Sequence, residues 1–251
     1  MDLDGVIYLL NQPIPENIRF VNFLRENHFK VVFLSNNTFL SRRGYVRKLR
    51  KMGIKAREDE IFSSAFVTAH YLRGKKPDAK IYVIGEAGLK REIENCGLHI
   101  VPDDTEKVDF VVVGMDRKFN FKKMSMALNL ILSGGELIGS NPDVTYPTES
   151  GILPGCGAIL AGIETCSGRK AQVIGKPSPI ILDFVFHYTG FDREETVIIG
   201  DRLDTDVKLA KDLGLFSILV LTGVSKKEDL SRFTAQPDMV VENLEVLKEF
   251  F

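Results

Sequence analysis

A chain of 251 residues can form one large domain or two modest ones, and 44% hydrophobic with 27% charged residues is an ordinary soluble balance. A formal net charge of −1, with no long run of one sign, gives no electrostatic ground for nucleic-acid or membrane binding. The absence of Trp weakens a stacking argument for single strands as well.

In chain order, helical spacing of apolar residues predicts a helix over Asn17–Asn27, followed by a strand at Lys30–Leu34 (KVVFL) and a helix over Ser41–Met52. The charge-rich patch Arg73–Lys80 then reads as a turn or domain crossing. Strands follow at Lys80–Ile84, Asp109–Val113 and Glu136–Ile138, with a helix over Lys122–Ser133 between the last two. Gly155-Cys156-Gly157 reads as a tight turn into a helix over Ala158–Cys166, and Ser167–Lys170 as a return crossing. The final third alternates strands Ala171–Ile174, Thr196–Ile199 and Ser217–Leu221 with helices Pro179–Thr189 and Thr205–Leu213. This alternation predicts an α/β fold with mostly parallel sheet, and continuous runs such as VVFL and TVII suggest strands covered on both faces. The expected domains are residues 1–73 with 172–251, and an inserted α/β unit over 74–171.

Three cysteines without C-x-x-C spacing read as reduced thiols, and four scattered histidines offer no zinc motif. No apolar run reaches 18 residues and no signal peptide is evident, so a cytoplasmic protein without a membrane partner is expected.

Four polar clusters stand at strand ends: Asp2-Leu3-Asp4-Gly5, Ser35-Asn36-Asn37-Thr38, Gly175-Lys176-Pro177-Ser178, and Gly200-Asp201 through Asp206. In an open parallel sheet the carboxyl ends of the strands face one crevice, where ligands bind. Carboxylates alone repel a phosphate dianion, but Mg²⁺ reconciles the two through oxygen ligation, and a lysine adds positive charge. One aspartate can then attack phosphorus while a second acid handles the proton. On extended chain, Asp2 and Asp4 point to the same side, and Gly5 lets the backbone turn away. The Asp201–Asp206 run lacks the glycine and terminal glutamate of an EF-hand, Asp204 reads as exposed or a cap, and Gly175-Lys176-Pro177 is not a Walker loop.

These clusters, in this order, resemble the motifs of the haloacid dehalogenase (HAD) superfamily of phosphatases. The wider chain is similar to its NagD/para-nitrophenylphosphatase-like branch through DGVIY, LSNNT, YVRKLRKMG, IGSNPD, PGCGAI, IGKPSP, IGDRLDTD and LVLTGV. The resemblance implies a Rossmann-like core with a large cap inserted between Ser35 and Lys176. It implies Asp2 as nucleophile and metal ligand, and Asp4 as general acid/base that gives its backbone carbonyl to Mg²⁺. Ser35, Asn36 and Lys176 would bind phosphate, Asp201 would complete the metal ligands, and Asp206 would lie one shell out, orienting a metal-bound water or Lys176. The expected substrate is a small-molecule phosphate monoester. Asn37, Asn141, Asp143 and Tyr146 are the substrate-side candidates, Tyr146 standing where mammalian pyridoxal-phosphate phosphatases carry a ring-stacking histidine. A phosphomutase of the same fold and a non-catalytic phosphate-ligand-binding module are the alternatives, and homo-oligomerisation is left open.

Only Met1 precedes Asp2, whereas the resembling family leads into this aspartate through several apolar residues of a central strand. The expectation is that the chain starts downstream of its natural start, and that added upstream codons would raise stability and activity.

Overall fold

The computed structural model describes residues 1–250. The chain opens with a hairpin, β1 (Tyr8–Leu9) and β2 (Gln12–Pro13), then α1 (Pro15–Glu26), β3 (Phe33–Ser35), α2 (Arg42–Lys51), β4 (Ile61–Ser63) and α3 (Ser64–Lys75). Next come β5 (Lys80–Ile84), α4 (Ala87–Asn95), β6 (His99–Ile100), β7 (Phe110–Val113), α5 (Phe121–Leu132) and β8 (Glu136–Gly139). A second hairpin, β9 (Thr145–Thr148) and β10 (Gly151–Pro154), leads into α6 (Cys156–Ser167) and β11 (Gln172–Val173). The chain ends with α7 (Pro179–Thr189), β12 (Val197–Gly200), a π-helical turn over Leu203–Val207, α8 (Lys208–Asp212), β13 (Phe216–Val220) and β14 (Met239–Val241).

Two compact units divide these elements. The first comprises residues 1–35, 45–62 and those from Lys176 onward; the second comprises 36–44 and 63–175. In the first unit β12, β13 and β14 form a parallel sheet in that order, and β3 pairs with β4. Residues 1–2 link the two sets of strands. The Leu34 N–H donates to Met1 O at 2.8 Å, and the Asp2 N–H donates to Ile199 O at 2.8 Å. Asp2 is thereby held between the ends of β3 and β12. Leu203, Val207 and Leu219 form a buried cluster beneath the π-helical turn. Pro15 and Pro179 each open a helix, where the missing N–H is one the helix could not use anyway.

The second unit is built on a five-stranded all-parallel sheet of order β11-β8-β7-β5-β6. Its strands read KIYVI and FVVV with almost every residue buried, the pattern of a sheet covered on both faces. Tyr82, Ile84, Val111 and Val113 pack with Leu130 and Ile131 of α5 and Leu160 and Ile163 of α6. Each such side chain contributes about 1.5–3 kcal/mol of burial.

The α/β layering and parallel pairing agree with the sequence expectation. The division of the chain differs from the expected crossings after residues 73 and 171: the units part at Phe62–Ser63 and at Gly175–Lys176, and residues 36–44 go with the second unit. The charged patch at Arg73–Lys80 covers the end of α3 and the turn into β5. That helix was missed for a physical reason. Ser64 through Ala69 are all buried, so it shows no amphipathic period to read. The expected strand at Lys30–Leu34 pairs only from Phe33, and Thr205–Leu213 splits into the π-helical turn and α8.

Candidate active site

The first unit gathers Asp2, Asp4, Ser35, Lys176, Asp201 and Asp206. Leu3, fully buried, points into the core, so Asp2 and Asp4 on either side of it turn the other way. Gly5 follows with φ at +79°, a left-handed conformation that glycine adopts without strain.

Lys176 anchors the cluster. Its side chain is 2% exposed, with Nζ 2.9 Å from Asp2 Oδ1 and 2.6 Å from Asp206 Oδ1. It also donates to Leu34 O at 3.4 Å. Burial works against the ammonium charge, but Asp2 and Asp206 outweigh it and hold the lysine firmly protonated. Asp201 lies at the end of β12. Its Oδ2 accepts the Val224 N–H at 2.7 Å, its carbonyl accepts the Ser225 N–H at 3.0 Å, and its Oδ1 is buried without a partner. The α-carbons of Gly5 and Gly223 close against it so tightly that a Cβ at either would overlap Asp201 Oδ2. Glycine is needed at both for this close approach.

Carboxylate oxygens of Asp2, Asp201 and Asp206 all lie within 4.8 Å of one another. Three buried carboxylates against one ammonium leave excess negative charge. Burial, then the charges of Asp2 and Asp206, push the Asp201 carboxyl well above the usual range. A hard cation with oxygen ligands would relieve that excess, and the unpartnered Asp201 Oδ1 offers it a donor, so the residues present fit Mg²⁺.

Asp206 lies beside Lys176. It belongs to the carboxylate trio, and its Oδ2 accepts the Arg202 N–H at 3.3 Å. Asp204 stays half exposed in an ion pair with Arg202, as the sequence suggests. Asp4 is raised to about 6, first by burial and then by Asp2, with Lys48 and the Leu10 N–H acting in the opposite direction. Its Oδ1 is buried without a partner. Ser35, 3% exposed at the end of β3, shares a side-chain hydrogen bond with Tyr45 of α2.

Ser35 closes one segment of the first unit, and Asn36 opens a segment of the second, where the substrate-side candidates gather. Asn141 Nδ2 donates to Asn36 O at 2.8 Å, Asn36 Nδ2 donates to Asp143 Oδ1 at 3.1 Å, and the Asp143 N–H donates to Asn141 Oδ1 at 3.2 Å. Asn37 Oδ1 accepts the Phe39 N–H at 2.8 Å. Phe39 meets Tyr146 of β9 edge to face, with centroids 5.5 Å apart, and the Arg117 guanidinium lies 5.0 Å over the Phe39 ring.

Sequence reasoning passed over Tyr45, Gly223, Val224, Phe39 and Arg117. Val224 acts through its backbone, which no side-chain pattern reveals. Tyr45 carries the helical spacing of an ordinary core residue, and Phe39 and Arg117 meet only through the fold.

Residues 1–99 match the family described as haloacid dehalogenase-like hydrolase, and residues 173–247 match the HAD-hydrolase-like family. The acid sugar phosphatase of Staphylococcus epidermidis is 37% identical over 246 residues, covering 98% of this chain and 94% of that protein. The structure of a p-nitrophenyl phosphatase from Archaeoglobus fulgidus superposes with a TM-score of 0.94 at 38% identity, over 100% of this chain and 97% of that one. A glycerol phosphate phosphatase from Mycobacterium tuberculosis, solved in complex with calcium, gives 0.89 at 30% identity over 98% of this chain and 73% of that one. The chain belongs to the haloacid dehalogenase-like hydrolases. With relatives that are phosphatases over nearly its whole length, it is a phosphoric monoester hydrolase. Among the described residues no helix is long and apolar enough to cross a membrane.

Proposed function

We propose that this chain is a Mg²⁺-dependent phosphatase of small-molecule phosphate monoesters, working through a covalent aspartyl-phosphate on Asp2. One observation carries the reading: a buried Asp2 carboxylate is held at 2.9 Å by the buried Lys176, with Asp4 two residues on and an oxygen unspent. Sugar and polyol phosphates are the substrate class, since the relatives include an acid sugar phosphatase and a glycerol phosphate phosphatase.

Asp2 attacks phosphorus through a carboxylate oxygen, forming the acyl phosphate as the ester P–O bond breaks. Asp4 gives its proton to the departing oxygen, so an alcohol leaves rather than an alkoxide. Asp4, now a carboxylate, takes a proton from water as that water attacks phosphorus, and inorganic phosphate leaves with the Asp2 carboxylate restored. Lys176 holds the nucleophile and adds positive charge for the transferring group, while Ser35 and Asn36 offer hydrogen bonds to its equatorial oxygens. Asp2, Asp201 and the Asp4 carbonyl would hold Mg²⁺, which when bound offsets charge between phosphate and carboxylates.

The test is phosphate release from p-nitrophenyl phosphate, glycerol phosphate and a panel of sugar phosphates, in Mg²⁺ and in EDTA. Release should require the cation and vanish in D2N. Borohydride quenching during turnover should convert residue 2 to homoserine, the reduction product of an acyl phosphate. An absence of release in Mg²⁺ overturns the phosphatase reading, and release without homoserine overturns the covalent route.

A further inference from the structure

We propose that Lys48, on α2, is a positioning residue for Asp4 that acts through the loop running from Asp4 to Leu10. Leu10 is one of two non-glycine residues with positive φ among the described residues, at +58°. A leucine pays roughly 1–2 kcal/mol for that conformation, and such strain persists only where the surroundings over-determine it. The Leu10 C=O accepts from Lys48 Nζ at 2.8 Å. The same ammonium stands 3.4 Å from the centroid of the buried Tyr8 ring, a close cation–π contact.

Tyr8 in turn is tied to Asp4 and Gly5. Residues 4 and 8 form a β-bridge, and the Gly5 N–H donates to Tyr8 O at 2.7 Å. One lysine therefore fastens two points of the loop that begins at Asp4. Most basic residues of α2 point outward: Arg43, Arg47, Arg50 and Lys51 are exposed, whereas Lys48, like Arg42 at the start of the helix, is half buried. A lysine serving solubility would keep its ammonium in water. Three residues earlier, on the same helix face, Tyr45 is buried and hydrogen-bonded to Ser35. One face of α2 thus reaches two of the residues assigned to phosphate chemistry.

The consequence lies in which Asp4 oxygen is free. Oδ1 has no partner and is left for the proton transfer, while the bridge between residues 4 and 8 fixes where the Asp4 carboxyl sits. Without Lys48, the strained Leu10 peptide loses the contact on its carbonyl and can relax, and Asp4 loses its orientation. The inference rests on Asp4 being the acid/base of the proposed reaction, and the test separates the two.

The readout is the ratio of kcat/KM on glycerol phosphate to that on p-nitrophenyl phosphate. An alkoxide needs a proton to leave, whereas nitrophenolate leaves with little help, so the ratio reports proton delivery. Because both rates come from one preparation, a loss of folded protein cancels in the ratio. D4N should lower the ratio sharply; K48M should lower it about tenfold, a fraction of the 10²–10⁴ that a positioned acid supplies; K48R, which keeps the cation, should bring it back toward the parent's. A K48M ratio equal to the parent's, alongside a D4N ratio that falls, overturns the role of Lys48 and leaves Asp4 standing. A D4N ratio that does not fall overturns the Asp4 reading, and the Lys48 inference with it.

Discussion

Replacing Lys176 with methionine separates the electrostatic role of this residue from its catalytic one. Its ammonium is 2.9 Å from Asp2 and 2.6 Å from Asp206, with all three side chains at most 10% exposed. At an effective dielectric near 20, each contact is worth roughly 6 kcal/mol of gross attraction, most of which offsets desolvation of the ions. Removing the cation alone leaves three buried carboxylates with no counter-charge, and breaking such a network costs about 3–5 kcal/mol. In EDTA, K176M should therefore unfold at distinctly lower urea than the parent, followed by far-UV circular dichroism. Mg²⁺ should then recover part of the loss, since a cation present at about a hundred times its dissociation constant adds roughly 2.7 kcal/mol to the state that binds it. Turnover should stay depressed by about 10²–10³ even in Mg²⁺, because the hydrogen-bonding ammonium near the transferring group is gone. Equal urea midpoints for K176M and parent in EDTA would refute this account of the cluster.

The same charge excess gives D201N the opposite sign: one fewer carboxylate should raise the melting temperature in EDTA while shrinking the further rise produced by Mg²⁺, both read by calorimetry. For the substrate side, Y146A should raise KM for the physiological phosphate ester more than for p-nitrophenyl phosphate in steady-state assays; equal effects would mean that Tyr146 does not face the leaving group. Asp238 concerns stability alone. Its bond to Lys211, then the Ser217 N–H, hold its carboxyl down at about 2, so its contribution is present above the unfolded value near 3.9 and is lost as pH falls toward 2. D238N should flatten the acid side of the stability profile over that window by no more than about 1 kcal/mol, because the ion pair is partly exposed.

What was legible in the sequence is what local chemistry announces. Ser35, Lys176 and Asp201 each stand at or beside the end of a strand, and Asp2, Asp4 and Asp206 lie in short clusters dense in carboxylates; both signals are visible without any knowledge of the fold. The α/β alternation was legible for the same reason, since β5 and β7 are nearly pure apolar runs. α3 was not, because its buried run from Ser64 to Ala69 has no polar face to set the period.

The remaining gaps share one cause: they are pairings between distant segments, and single residues give no sign of them. Lys48 stands among five other basic residues of α2, and only the turn at Leu10, with its unfavourable φ, distinguishes it. Phe39, Arg117 and Tyr146 meet from three separated segments, with Arg117 fixed by Glu86 at 2.6 and 2.7 Å. Asp201 is the instructive case. Its position after β12 marks it as a candidate ligand, yet what leaves its Oδ1 unpartnered is remote in sequence: Gly5 and Gly223 press against the carboxyl, and Val224 takes the other oxygen. The residue types that do chemistry can thus be read one by one, whereas the free valence that makes them reactive is set by neighbours whose own types look ordinary.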